Sequence, residues 1–191
     1  MRKRRTTRGT TLVETLTAAT MTVLVLSGAI AVLLYGLTSW ARGQGRIAAE
    51  TDSQKAVRII SQRLREACKV TVDANGLGLT YWIPPIDGTG QYVTPVPPNG
   101  DGVLRRIELN GSTLNIVTGG ISRSICPGVI LTDPLSAGGT TPYVIFSSPT
   151  GVVTRQITIQ IVTQRNTYKA ANVTSRTRET IYLRNVQELT H

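Results

Sequence analysis

Histidine occurs once in the 191 residues, as His191 at the very end, which argues against a histidine-based catalytic triad or a multi-histidine metal site. Two cysteines, Cys68 and Cys126, are too few for a four-thiolate zinc centre. Aromatic residues make up 5% of the chain, so a platform of rings for stacking single-stranded nucleic acid is not expected. Acids are also scarce, 11 against 21 lysines plus arginines. Those of the C-terminal region, such as Asp73, Asp87, Asp101, Glu108 and Asp133, are scattered without the spacing of a general acid and base. The fragments Gly76-Leu-Gly78 and Gly88-Thr-Gly90 lack the third glycine of a nucleotide loop. The expectation is a protein that is not an enzyme and uses neither metal nor cofactor.

The largest absence is of charge itself: Thr15 to Ala41 contains no Asp, Glu, Lys or Arg. These 27 residues would extend about 40 Å as a helix, more than the roughly 20 residues that cross a bilayer core. Val23-Leu24-Val25-Leu26 and Ile30-Ala31-Val32-Leu33-Leu34 supply the apolar mass, and Tyr35 and Trp40 fall where an interfacial aromatic belt is expected. Five cations, Arg2, Lys3, Arg4, Arg5 and Arg8, precede the run, placing the N-terminus inside and the rest of the chain outside. They also account for half of the formal charge of +10, since sixteen cations and eleven acids follow them.

Two readings of this start compete. A secretory signal peptide would be cut at the small-residue sequence Ala29-Ile30-Ala31, releasing a soluble β-domain that begins near Val32 and acts as a binding module. Against it stands Glu14 at the mouth of the apolar run, where a carboxylate at bilayer depth costs about 2.5–3.5 kcal/mol unless paired. The sequence Gly9-Thr10-Thr11-Leu12-Val13-Glu14, after a short basic leader and before an uncharged helix, resembles the prepilin motif of type IV pilins and type II secretion pseudopilins. The resemblance implies cleavage by prepilin peptidase after Gly9, an N-methylated N-terminus at Thr10, and Glu14 as the mature fifth residue that sets register between packed subunits. Thr10 stands where the family usually has an aromatic residue. Further implied are a bacterial inner-membrane intermediate with the N-terminus inside, contact with lipid and an assembly platform there, and transfer into an extracytoplasmic filament of pilin subunits.

Beyond Trp40, Gly43 and Gly45 predict a soft point in the helix. Ile47, Val57, Ile60, Leu64 and Ala67 or Cys68 then mark the apolar stripe of an amphipathic helix reaching about residue 69. After it the vocabulary turns to β-branched residues, glycine and proline. Ile107, Leu109, Leu114 and Ile116 flank Asn110-Gly111, which predicts a hairpin with a type I′ turn. Ile157, Ile159 and Ile161 alternate as a half-buried strand, Thr177 to Asn185 reads as the last strand, and 84–102 as a long surface loop. The expected organisation is therefore a leader (1–9), a long helix (10–69, transmembrane over about 15–41) and a β-rich head (70–191), an α+β, pilin-like fold. The final Tyr-Leu-Arg184-Asn185 strand and the hairpin are similar to PilW and J-type minor pilins, which implies a place at or near a filament tip.

Two constellations in the head carry open alternatives. Cys68 and Cys126 either form a bridge tying the helix end to the sheet or remain two buried thiols. Arg155, Arg165, Lys169, Arg176, Arg178 and Arg184 either form a basic stripe on one sheet face, as in a DNA-uptake pilin, or are charges on the solvent side of strands.

Overall fold

The computed structural model describes residues 11–93, 96–97, 99–133, 141–149, 156–167, 170–183 and 189–190. Its dominant element is one α-helix, α1, Leu12–Glu66, 55 residues and about 80 Å long. Thr11 caps its start, Glu14 lies in the first turn and Arg63 and Arg65 in the last, each on the side the helix dipole favours. The helix runs through Gly43 and Gly45 without a break, as one long element.

Among the described residues eleven strands follow: β1 (Lys69–Val72), β2 (Gly78–Trp82), β3 (Arg105–Asn110), β4 (Thr113–Thr118), β5 (Ile121–Pro127), β6 (Thr132–Asp133), β7 (Thr141–Pro142), β8 (Phe146–Ser147), β9 (Gln156–Thr167), β10 (Ala170–Tyr182) and β11 (Leu189–Thr190). They form a six-stranded sheet in the order β11-β1-β2-β3-β4-β5, a three-stranded sheet β10-β9-β8 and a two-stranded ribbon β6-β7. Among the described residues the strand pairings are antiparallel except that of β1 with β11. The two larger sheets meet where Ile130 N–H donates to Val162 O at 3.0 Å and Gln164 N–H to Gly128 O at 2.7 Å. One long apolar N-terminal helix followed by largely antiparallel sheets is the α+β layout anticipated from the sequence.

The second half of α1 lies against both sheets and completes the core. Val57, Ile60, Leu64 and Ala67 are buried with Leu79, Tyr81, Ile107 and Leu114 from one sheet and Ile157, Ile159, Ile161 and Ile181 from the other. Ile47, assigned to this stripe from its spacing, is instead 61% exposed. The stripe begins with small residues, Gly45, Ala49, Ser53 and Ala56. A Cβ on Gly45 would stand 2.9 Å from Thr167 Cγ2, so this glycine is a point of close approach between helix and hairpin.

The β3–β4 hairpin forms with Ile107 opposite Ile116 and Leu109 opposite Leu114, as the alternation requires. Its turn lies one residue further on: Asn110 pairs with Thr113, and of the turn residues only Gly111 has positive φ. That is the type II′ pattern, which places glycine first, and not the expected I′ turn. The last long strand ends at Tyr182, and Arg184 and Asn185 lie outside the described residues.

Candidate functional site

The first part of α1 stands clear of the head. Leu16, Met21, Val23, Leu24, Val25, Ile30, Val32, Leu33, Tyr35 and Trp40 are all exposed, and the first buried residue of the helix is Gly45. The protruding portion, 12–44, is about 50 Å long. An 18-residue window in it averages a hydropathy of 2.1, so this helix is long and apolar enough to cross a membrane. An exposed apolar surface of this extent requires lipid or protein around it.

Its threonines and Ser27 do not interrupt that surface. The hydroxyls of Thr15, Thr20, Ser27 and Thr38 donate to the carbonyl three residues back at 2.8–2.9 Å, and Thr22 to the one four back at 2.8 Å. Thr17 reaches both Val13 O and Glu14 O at 3.0 Å. Back-bonding of this kind satisfies the hydroxyl inside the helix and turns the threonine methyl outward.

Glu14 is exposed in the first helical turn, and its backbone N–H donates to Thr11 Oγ1 at 3.3 Å. Thr11-x-x-Glu14 therefore has the spacing of a capping box, of which the threonine half is formed. The Thr-x-x-Glu pattern carried this signal in the sequence, and Thr11 was not singled out there. Gly9 and Thr10 lie outside the described residues.

At the head, α1 is fastened by polar contacts as well as by packing. Thr163 Oγ1 on β9 donates to Ala49 O at 2.9 Å, Ser53 Oγ and Thr177 Oγ1 on β10 lie 2.6 Å apart, and Arg165 pairs with Asp52. Asp52, Ser53 and Thr163 were not predicted; their partners lie more than a hundred positions away in sequence, and no local pattern marks them.

The arginines of the C-terminal third do not gather on one face. Arg165 sits opposite Val173 with its side chain toward α1, whereas Arg176 pairs with Asp133 at 2.8 Å on the other face of the β9–β10 ribbon. The alternation of a strand puts Arg178 on that second face too. Of the two alternatives, a single basic stripe is thus divided by pleat parity, and two of its members are held by carboxylates. Arg155, Lys169 and Arg184 lie outside the described residues.

The cysteines are both free thiols. Cys68 extends β1, with its N–H bonded to Trp82 O at 2.9 Å, while Cys126 lies in β5 opposite Leu114. Four strand spacings separate β1 from β5, about 19 Å along the sheet, against the roughly 4.4–6.8 Å that a bridge requires between Cα atoms. Burial raises the Cys68 thiol above its ordinary range and pushes Cys126 up to about 12. Among the described residues no group of three or more His, Cys, Asp or Glu is placed to hold a metal ion.

Compared with protein-family models, curated proteins and solved structures, the chain matches none.

Proposed function

We propose that this chain is a prepilin-type structural subunit, a minor pilin or pseudopilin whose helix first anchors it in the bacterial inner membrane and then packs in the core of a filament. The observation that carries the reading is the unbroken helix, apolar and bare for its first half and part of the head's core for its second. Cleavage after Gly9 would leave the amine of Thr10 one residue before the Thr11 cap. A neighbouring subunit's amine could then neutralise the Glu14 carboxylate and fix the axial register of packed helices. The β-rich head would face partner subunits. Prepilin peptidase, sibling pilin subunits and an inner-membrane assembly platform are the partners this reading requires.

Release by signal peptidase near Val32 fits less well. It would cut within a continuous helix and leave Leu33, Leu34, Leu37 and Trp40 exposed to water.

The deciding experiment is mass spectrometry of the mature N-terminus, with the chain expressed with and without a prepilin peptidase. A peptidase-dependent start at Thr10, followed by loss of filament incorporation in Glu14→Ala with normal membrane insertion, is the expected result. A start near Val32 regardless of the peptidase would overturn it.

A further inference from the structure

The outer edge of the six-stranded sheet is β5, and no other strand pairs with it there among the described residues. Ile121–Ser124 are all exposed, Ile121 to 77%. The turn entering β5 from β4 has positive φ at both Gly119 and Gly120, the type I′ pattern, in which the flanking Thr118 and Ile121 form a hydrogen-bonded pair. Antiparallel alternation then directs the backbone groups of Ser122 and Ser124 away from β4 and into solvent. Open edges are ordinarily covered, bulged away or blunted by charge. Here the exposed half of the edge carries one charged residue, Arg123.

Beside this edge a cleft of about 570 Å³ opens between β5 and the second half of α1. Ile59, Ile116 and Ile125 contribute apolar surface to it, and Lys55, Arg63 and Arg123 contribute charge. None of these three cations has a carboxylate partner among the described residues, in contrast to Arg105 in the same cleft, which is held by Asp101 at 2.6 Å. The cleft is therefore apolar within, cationic at its rim and bounded by unpaired backbone.

We propose that this edge and cleft dock an extended acidic segment of a partner protein, which adds to the sheet beside β5. Its backbone would pair with Ser122 and Ser124. Alternate side chains would face the cleft, apolar ones toward Ile59 and Ile116, carboxylates toward Lys55, Arg63 and Arg123. The charge argues against a second copy of this chain, because two copies repel, each net positive by five even without Arg2, Lys3, Arg4, Arg5 and Arg8, and Asp52, Asp73, Asp101, Glu108 and Asp133 are already engaged in ion pairs. Isoleucines inside the cleft suit a peptide better than a nucleic acid, since the aromatic residue there, Tyr81, is only 1% exposed and offers no ring for stacking. This proposal rests on the head alone and is independent of how the N-terminus is processed.

The test uses the full chain in detergent micelles and a fluorescein-labelled peptide of the repeat Glu-Ser-Val-Ser, which as a strand presents glutamate and valine in turn on one face, read by fluorescence anisotropy. Saturable binding is expected, weakened about tenfold or more by the charge reversals Lys55→Glu and Arg123→Glu and by replacing the peptide's glutamates with lysine. Ser122→Pro keeps every charge but removes an outward N–H, and it too should weaken binding, with circular dichroism verifying the fold. The charge reversals lie at exposed positions and give a second, fold-independent arm. No saturation at millimolar peptide overturns the proposal. So does equal affinity for an oligothymidylate, which would mark a simple cationic patch, or undiminished binding by a folded Ser122→Pro variant.

Discussion

Asp52 on α1 accepts hydrogen bonds from both Nε and Nη2 of Arg165 on β9, residues 113 positions apart in the chain. Both side chains are about one-third exposed, so solvent discounts the pair, yet it joins the helix to the sheet at the level where the head begins. Asp52→Ala and Arg165→Met are each expected to cost about 1 kcal/mol. In a double-mutant cycle by urea unfolding, the double variant should lose less than the sum of the singles. Strict additivity would mean that the pair contributes nothing.

Gly43 and Gly45 should respond to substitution with opposite signs. Nothing lies within 4 Å of a Cβ built on Gly43, whereas one on Gly45 meets Thr167 at 2.9 Å and Val173 at 3.4 Å. Gly43→Ala is expected to stabilise by about 0.5–1 kcal/mol through helix propensity alone. Gly45→Leu forces helix and hairpin apart and should destabilise by about 1–3 kcal/mol. Thermal unfolding of the two variants checks both, and a stabilising Gly45→Leu would refute the close approach.

The thiols should be slow to react and should not pair. Cys126 is fully buried and its pKa is pushed up to about 12, while Cys68 is partly exposed and raised less far. With maleimide at pH 7, one equivalent is expected to react from the native protein, at Cys68, and the second only after denaturation. A Cys68–Cys126 cross-linked peptide in the non-reduced digest would contradict this sheet order.

Tyr143 is the residue through which alkaline pH should act on the head. Its hydroxyl donates to Ile130 O at 2.6 Å and accepts from Val162 N–H at 2.9 Å, joining three segments of the smaller sheet region. Burial pushes its pKa up to about 12, above the value of about 10 in the unfolded chain. The raised folded value means that this contribution is complete below pH 10 and is lost as pH climbs toward 12. Tyr143→Phe should cost about 1–3 kcal/mol at neutral pH and flatten that alkaline slope, measured as melting temperature against pH. Tyr81, also raised by burial, would leave a residual slope.

Much of this architecture was legible in the sequence, because it depends on short-range periodicity. The uncharged run, the Val57-Ile60-Leu64 stripe and the Ile157-Ile159-Ile161 alternation each report which face meets apolar surroundings. The sequence was less informative where a residue's role depended on a distant partner. The helix persists through Gly43 and Gly45, and Gly45 is accommodated there by Thr167 and Val173 of a hairpin that follows more than a hundred residues later. Ile47 lies between the covered residues Gly45 and Ala49 in sequence but two positions round the helix from each, so it points away from the sheets. Arg165 and Arg176 fall on opposite faces because of the register of β9 with β10, including its irregularity between Ala170 and Val173, which the strands' own sequences do not specify. Of the candidate processing and assembly residues, Glu14 is placed by its motif, and its neighbour Thr11 carried an unread capping signal.

The hydroxyl groups along the protruding helix carry one more consequence. Because each named threonine and serine closes its hydrogen bond on its own backbone, the helix asks nothing polar of its surroundings between Thr15 and Leu34. Moving such a rod from hydrocarbon into a bundle of similar rods exchanges one set of dispersion contacts for another and rewires no bond. The same self-sufficiency leaves it without an address of its own: alignment along a neighbour must come from its charged end and from the head, where the specific contacts are.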